Sequence, residues 1–279
     1  MGGEGPIGAE DQARRHDHIC FVFGDPAEFQ EAARSFLAEG LAAGYQVVAV
    51  VRRPAEYESW RRDEVLASAL ANGQAEVVLA EPGYGDPEVV DPPARIASSR
   101  AATQQALDRG FKGLRVAADV TPLVGTQAAL DAFVRWEYLV DRCVATSPLD
   151  GMCGYQRDAL SEADLVQLAC LHPSDNTPEA IPFRLYTGSD GSCVLAGYLD
   201  FSGLDLLTST LERAQLPAAG QHLPIDASRL EFVDHNSLLA LEAAARAQSA
   251  TMLLRNTAPY VRELAKLLGL AAVRVEVAG

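Results

Sequence analysis

Lysine is almost missing from this chain. Lys112 and Lys266 are the only two among 279 residues, against 21 arginines. That scarcity works against chemistry needing a placed amine, such as a phosphate-binding loop or a Schiff base. No apolar run approaches the roughly 20 residues needed to span a bilayer. The opening stretch MGGEGPIGAEDQARR has no apolar segment of a secretory signal, and Pro6 stands where N-myristoylation wants Ser or Thr. A soluble cytoplasmic protein is expected. The five cysteines (Cys20, Cys143, Cys153, Cys170, Cys193) are odd in number and form no C-x-x-C pair. This argues against a disulfide framework and a zinc ribbon, and for small core residues. Positive charge is also short, with 38 acidic against 23 basic groups and a formal net charge of −15. Residues 1–179 hold 28 acidic and 15 basic groups, and residues 180–279 hold 10 and 8. Neither half carries the basic footprint of a nucleic-acid binder. There is no G-x-S-x-G elbow, no H-E-x-x-H, no Rossmann glycine fingerprint and no evident nucleophile–base pair. A non-enzymatic protein is expected.

What the chain does contain is alternation. Apolar strand-like runs at 18–23, 46–51, 76–80 and 113–119 are separated by helical spacing over 26–43, 55–71, 94–109 and about 126–146. A segment around Gly151–Tyr155 and a helix over 161–171 follow. Continuous Val, Ile and Leu strands between helices predict an α/β domain with a parallel sheet covered on both faces. The stretch HPSDNTPEAIP (172–182) is polar, holds three prolines and breaks the pattern, so it reads as the domain boundary. Beyond it, strands at 183–188, 192–200, 222–228, 250–256 and 273–277 enclose helices at 202–215, 235–248 and 258–268. The expected organisation is a disordered tail over 1–11, an N-terminal domain over 12–173, a linker over 174–181 and a second α/β domain over 182–279.

In the N-terminal half, His16, His18 and Cys20 alternate, so on a strand they share one face. With Glu137, Cys153 or His172 brought in by the fold they make an imaginable metal site. The other reading is that His18 and Cys20 line a core strand or an apolar ligand pocket. The second is preferred, so neither metal nor cofactor is expected. Asp119 ends a parallel strand, where α/β sheets place ligand groups, or it merely caps the next turn. Several passages then resemble one family. His16-Asp17-His18-Ile19-Cys20, Phe36-Leu37-x-x-Gly40-Leu41, LRVAAD (114–119), Glu137-Tyr138, Met152-Cys153-Gly154-Tyr155 and His172-Pro173 are similar in order and spacing to the MEDS domain, a sensory module of methanogen and methylotroph regulators. The resemblance implies a small-molecule ligand, with His16, His18, Cys20, Asp119, Glu137, Tyr155 and His172 as candidate binding residues. The layout also resembles a P-loop, RecA-like core in degenerate form. Its first strand–helix junction, FGDPAEFQ, has one Gly, no Lys and two acids where a phosphate cradle would need G-x-x-x-x-G-K-[ST], so ATP hydrolysis by this route is not expected.

In the C-terminal half, AGYLDF (196–201), IDASRLEFVD (225–234) and RNTAPYVRELAKLLG (255–269) together resemble the STAS domain of bacterial anti-sigma-factor antagonists. The resemblance implies a small mixed-sheet α/β fold that binds an anti-sigma factor or switch kinase. Its switch region maps onto Asp200, Asp234, His235, Asn236 and Ser237. Here the chain departs from the pattern, because His235 occupies the position where the family carries its phosphorylated Ser or Thr. Three readings stand: a lost switch with constitutive binding, a displaced phosphoacceptor at Ser237, or His235 as phosphoacceptor or pH-sensitive contact. The lost switch is preferred, and Asp234 also reads as a plain helix N-cap. The whole is expected to be a regulatory protein in which a MEDS-like sensor controls a STAS-like output. The rivals are a scaffold that self-associates, for instance as a homodimer, and a small-molecule-converting enzyme.

Overall fold

The computed structural model describes residues 17–80, 89–177 and 180–277. The tail expected over 1–11 and the candidate ligand His16 lie outside the described residues. The first unit alternates β1 (His18–Phe23), α1 (Pro26–Ala43), β2 (Gln46–Val51), α2 (Pro54–Arg61), α3 (Ala67–Asn72), β3 (Ala75–Leu79), α4 (Pro92–Asp108), β4 (Leu114–Asp119), α5 (Gln127–Thr146), β5 (Leu149–Gln156), α6 (Glu162–Ala169) and β6 (Ser174–Asp175). Local chemistry sets the ends. Asp25 caps α1 by accepting from the Ala27 N–H, Pro26 supplies a preset φ at the first turn, and Gly44 closes the helix at φ 86°. The six strands form one parallel sheet in the order β3-β2-β4-β5-β1-β6. β1 runs between β5 and β6, with His18 opposite Gly151 and Cys20 opposite Cys153.

The second unit contains β7 (Phe183–Thr187), β8 (Cys193–Leu199), α7 (Leu204–Ala214), β9 (His222–Asp226), β10 (Leu230–Val233), α8 (His235–Ala247), β11 (Thr251–Thr257), α9 (Pro259–Leu267) and β12 (Val273–Val277). Its sheet is mixed. The order β10-β8-β9-β11-β12 is parallel, and β7 lies antiparallel on β8. Gly197 sits in β8 at φ +93°, and a Cβ there would stand 2.7 Å from the Pro182 carbonyl. Only glycine fits that crossing without strain. The chain is thus the two-part α/β protein that the alternation predicts.

The two units share one apolar core. A single cluster runs from Phe133, Tyr138 and Leu168 to Phe183, Leu195, Leu207 and Leu238. Polar ties cross the same seam. Gln167 Nε2 donates to Thr210 Oγ1 at 2.8 Å, and Arg213 Nε meets Asp131 at 2.8 Å. The start of the three-proline segment, through Asn176, is less slack than its composition suggests. Ser174 and Asp175 pair with Ile19 and Cys20 as the sixth strand. Asn176 then brackets Val22, accepting from its N–H at 2.6 Å and donating to its carbonyl at 2.9 Å. Two further differences from the sequence expectation have local causes. The helix expected over 55–71 is two helices, because Asp63 pairs with Arg34 at 2.5 Å and accepts from the Val65 N–H at 2.9 Å, turning the chain between them. The strand β10 is added beside Gly197–Leu199 of β8.

Candidate functional site

α5 buries nearly its whole length, and its inward face carries two acids one turn apart, Glu137 and Asp141. They are 0% and 2% exposed. Carboxylates this deep require partners, and three elements supply them. β1 presents His18, β5 presents Cys153 and Tyr155 on one face, and the turn after α6 presents His172; all four are buried. His18 Nδ1 lies 3.1 Å from Asp141 Oδ1, and its Nε2 lies 3.2 Å from Glu137 Oε2. The Tyr155 hydroxyl donates to Glu137 Oε1. Cys153 Sγ is 3.7 Å from Glu137 Oε2 and 3.9 Å from His18 Nε2. The imidazole of His172 stacks on that of His18, with centroids 4.1 Å apart, and its Nε2 is 3.6 Å from Glu137 Oε2.

The electrostatics follow from this packing. Burial pulls the His18 pKa down, but hydrogen bonds and charge from Asp141 and Glu137 overcome it and raise it to about 9. Burial pushes Glu137 up, and the two histidines with the Tyr155 hydroxyl more than reverse this, holding it below the usual carboxylate range. For His172, burial and the neighbouring positive His18 drive the pKa down to about 4. Burial, reinforced by the Glu137 charge, pushes the Cys153 thiol and the Tyr155 phenol well up. At neutral pH this places a positive His18 between two carboxylates, beside a neutral His172. The Leu168 carbonyl, 2.9 Å from His172 Nδ1, only accepts, so that nitrogen carries the proton. Nε2 of His172 is then a bare lone pair, and it has no hydrogen-bond partner among the described residues.

A pocket of about 90 Å³ adjoins this cluster, lined by His18 and Cys153 together with Trp136, Val140 and Met152. Asp141 also faces the other way. Its Oδ2 accepts from the backbone N–H of Thr187, at the end of β7, at 2.5 Å.

Of the residues singled out in the sequence, His18, Glu137, Tyr155 and His172 converge. Cys20 shares the His18 face of β1 but lies in the apolar core, outside the His18–Glu137–Cys153–His172 group. Asp119 is elsewhere, at the carboxyl end of β4. It pairs there with Arg52 at 2.6 Å and accepts from the Thr121 N–H, beside a pocket of about 130 Å³ that Phe29 and Trp60 help to line. Asp141 was not singled out, although its signal was present: two acids four residues apart on an otherwise apolar helix face. In the C-terminal unit, Asp200 accepts from both the N–H and the hydroxyl of Ser202, and Asp234 caps α8 by accepting from the Ser237 N–H at 2.7 Å. His235 is exposed, Asn236 is half-buried, and Ser237 is fully buried with its hydroxyl unpartnered among the described residues. Tyr198, Phe201, Phe232 and Tyr260 are exposed beside this turn, with Phe201 at 78%.

Residues 17–173, more than half of the chain, match the family described as MEDS, the MEthanogen/methylotroph, DcmR Sensory domain. The chain belongs to the MEDS family. The match takes in every residue of the buried cluster and ends one position after His172, so Thr187 lies beyond it. MEDS membership gives the chain a sensory, regulatory role. No curated protein matches the chain. The mixed-sheet C-terminal unit is compatible with the STAS resemblance, and no match to that family accompanies it. Among the described residues, no helix is long and apolar enough to cross a membrane.

Proposed function

We propose that this chain is an anti-sigma-factor antagonist in which the MEDS sensor controls a partner-binding face on the C-terminal unit. The observation that carries the reading is Asp141, one carboxylate that holds His18 of the sensor with one oxygen and the Thr187 N–H of β7 with the other. A small molecule in the adjoining pocket touches His18 and Cys153 directly. Moving His18 alters what Asp141 offers to β7. That strand pairs along β8, which leads into Asp200 and the exposed aromatic face. Such coupling needs a ligand whose affinity differs between two arrangements of this relay. The chemistry is that of binding rather than turnover.

The partner this reading names is an anti-sigma factor or its switch kinase, docking on Tyr198, Phe201, Phe232 and Tyr260 around the α8 N-terminus. Exposed aromatics are common anchors at such interfaces. Docking is constitutive with respect to phosphorylation, because His235 fills the phosphoacceptor position and the hydroxyl of Ser237 is enclosed. The same apolar face also favours a second reading, self-association as a scaffold.

Copurification of the full-length protein from its own host tests the choice. An anti-sigma-type kinase recovered with the wild type and lost from a Phe201→Ala/Phe232→Ala variant supports the proposal. Self-association with no such kinase overturns it in favour of the scaffold. Phosphoserine at 237, formed on incubation with that kinase and ATP, would overturn the constitutive reading.

A further inference from the structure

The geometry points to a divalent transition-metal site, best suited to zinc, formed by His18 Nε2, Glu137 Oε2, Cys153 Sγ and His172 Nε2. These four atoms come from β1, α5, β5 and the turn after α6, and all lie within 4.8 Å of one another. A tetrahedral ion with bonds of about 2.0–2.1 Å to N and O, and 2.3 Å to S, sets neighbouring ligand atoms roughly 3.3–3.6 Å apart. The separations here are 3.2 Å for His18–Glu137, 3.6 Å for His172–Glu137, 3.7 Å for Cys153–Glu137 and 3.9 Å for Cys153–His18. These four separations lie within about 0.4 Å of that range, and the two remaining pairs are within 4.8 Å, so a small inward movement of the side chains completes the shell.

Three observations beyond spacing support it. First, both imidazoles are oriented as metal-binding histidines are. His18 donates an Nδ1–H hydrogen bond to the Asp141 carboxylate and His172 donates one to the Leu168 carbonyl, which turns each Nε2 inward. Second, His172 Nε2 is completely buried, has no hydrogen-bond partner among the described residues, and lies 3.6 Å from a carboxylate oxygen. A cation between these two atoms would give each a partner. Third, Tyr155 occupies Glu137 Oε1, which leaves Oε2 for the ion. A bare His18–Glu137 ion pair explains neither the third donor nor the fourth. On loading, the protons of Cys153 Sγ and His18 Nε2 leave to solvent, so cysteine binds as thiolate and His18 as neutral imidazole. The adjoining pocket, which both residues line, gives the ion a way in. This inference stands on the ligand set alone and does not rest on the anti-sigma reading.

The test uses full-length protein stripped by chelation and titrated with cobalt(II) as a spectroscopic stand-in for zinc. Expected are one metal per chain by elemental analysis, visible bands of tetrahedral cobalt, a thiolate-to-cobalt charge-transfer band, and loss of all of them on adding zinc. Cys153→Ser abolishes the charge-transfer band. His172→Gln weakens cobalt binding by at least 10-fold, the low end of what losing even an outer-shell partner costs. Circular dichroism identifies the folded variants, and either one suffices. Folded wild type that takes up no cobalt, or a charge-transfer band that survives Cys153→Ser, overturns the site. Partner capture is measured separately, so its failure leaves this result untouched.

Discussion

Asp141→Asn is the substitution that presses hardest on the link between the two units. The residue is 2% exposed, and its carboxylate accepts from two donors, His18 Nδ1 through one oxygen and the Thr187 N–H through the other. Asparagine keeps the shape but offers one oxygen and one NH2, so a donor is forced against a donor on one side. An unsatisfied buried donor costs about 1–3 kcal/mol. Removing one charge of a buried pair costs about 3–5 kcal/mol where no other partner remains. Glu137 still faces the His18 ring, which places the sum near the lower figure, about 3 kcal/mol. Because one core cluster spans both units, unfolding is expected as a single transition. In a chain of this size that loss lowers Tm by roughly 6–12 °C. Urea denaturation followed by tryptophan fluorescence, which reports only the first unit through Trp60 and Trp136, should coincide with far-ultraviolet circular dichroism. Hydrogen exchange makes the test local. The Thr187 amide should lose about 100-fold of its protection, the factor matching 3 kcal/mol. A variant within about 0.5 kcal/mol of wild type, which is the usual range for surface substitutions, with the Thr187 amide still protected, would refute the relay.

Other expectations are simpler to state. Asp150 is raised to about 6 by burial, which outweighs the attraction of Arg115. A folded pKa above the unfolded value of about 3.9 means that its stabilising effect is complete below about pH 4 and lost as pH rises through 6. Relative to wild type, Asp150→Asn should therefore gain about 2–3 kcal/mol between pH 4 and pH 7 in paired urea titrations; a flat difference would show that burial does not strain this carboxyl. Gly197→Ala adds a Cβ 2.7 Å from the Pro182 carbonyl at a φ of +93°. It should cost about 2–3 kcal/mol in the same assay, and a neutral result would show that the crossing yields. Tyr155→Phe leaves Glu137 Oε1 without its donor. A loss of about 1–3 kcal/mol is expected, read as a shift in the urea midpoint at unchanged slope.

Much of this architecture was legible because β1, β2 and β12 are unbroken apolar or alternating runs whose ends are set by neighbouring residues. The features missed depend on partners distant in the chain. Nothing near Asp63 breaks helical periodicity; Arg34, 29 residues away, does so by drawing the carboxylate out of line. Ser174–Asp175 is a strand because it pairs with Ile19–Cys20, a pairing that Asn176 extends by fitting the backbone of Val22, 154 positions earlier. Within the site, His18, Glu137, Tyr155 and His172 could be named from their types and order, but their convergence on one carboxylate could not. Cys20 and Cys153 illustrate the limit. Directly opposite in the sheet and both buried, they differ in that only Cys153 is within reach of Glu137 Oε2. Periodicity alone does not separate them.

The sixth strand also has a mechanical consequence. Chain leaving the sensor does not hang as a tether; it is laced to β1 through Ile19–Ser174 and Cys20–Asp175, then buttoned down at Val22. Arg184 fastens the far side by binding Asp175 and the His172 carbonyl. A pull between the halves therefore loads these bonds in shear along the strand that carries His18, and the chain up to Asn176 resists as a fixed strand. Tension applied at the output end arrives first at Asn176 and Val22, on the strand that begins with His18.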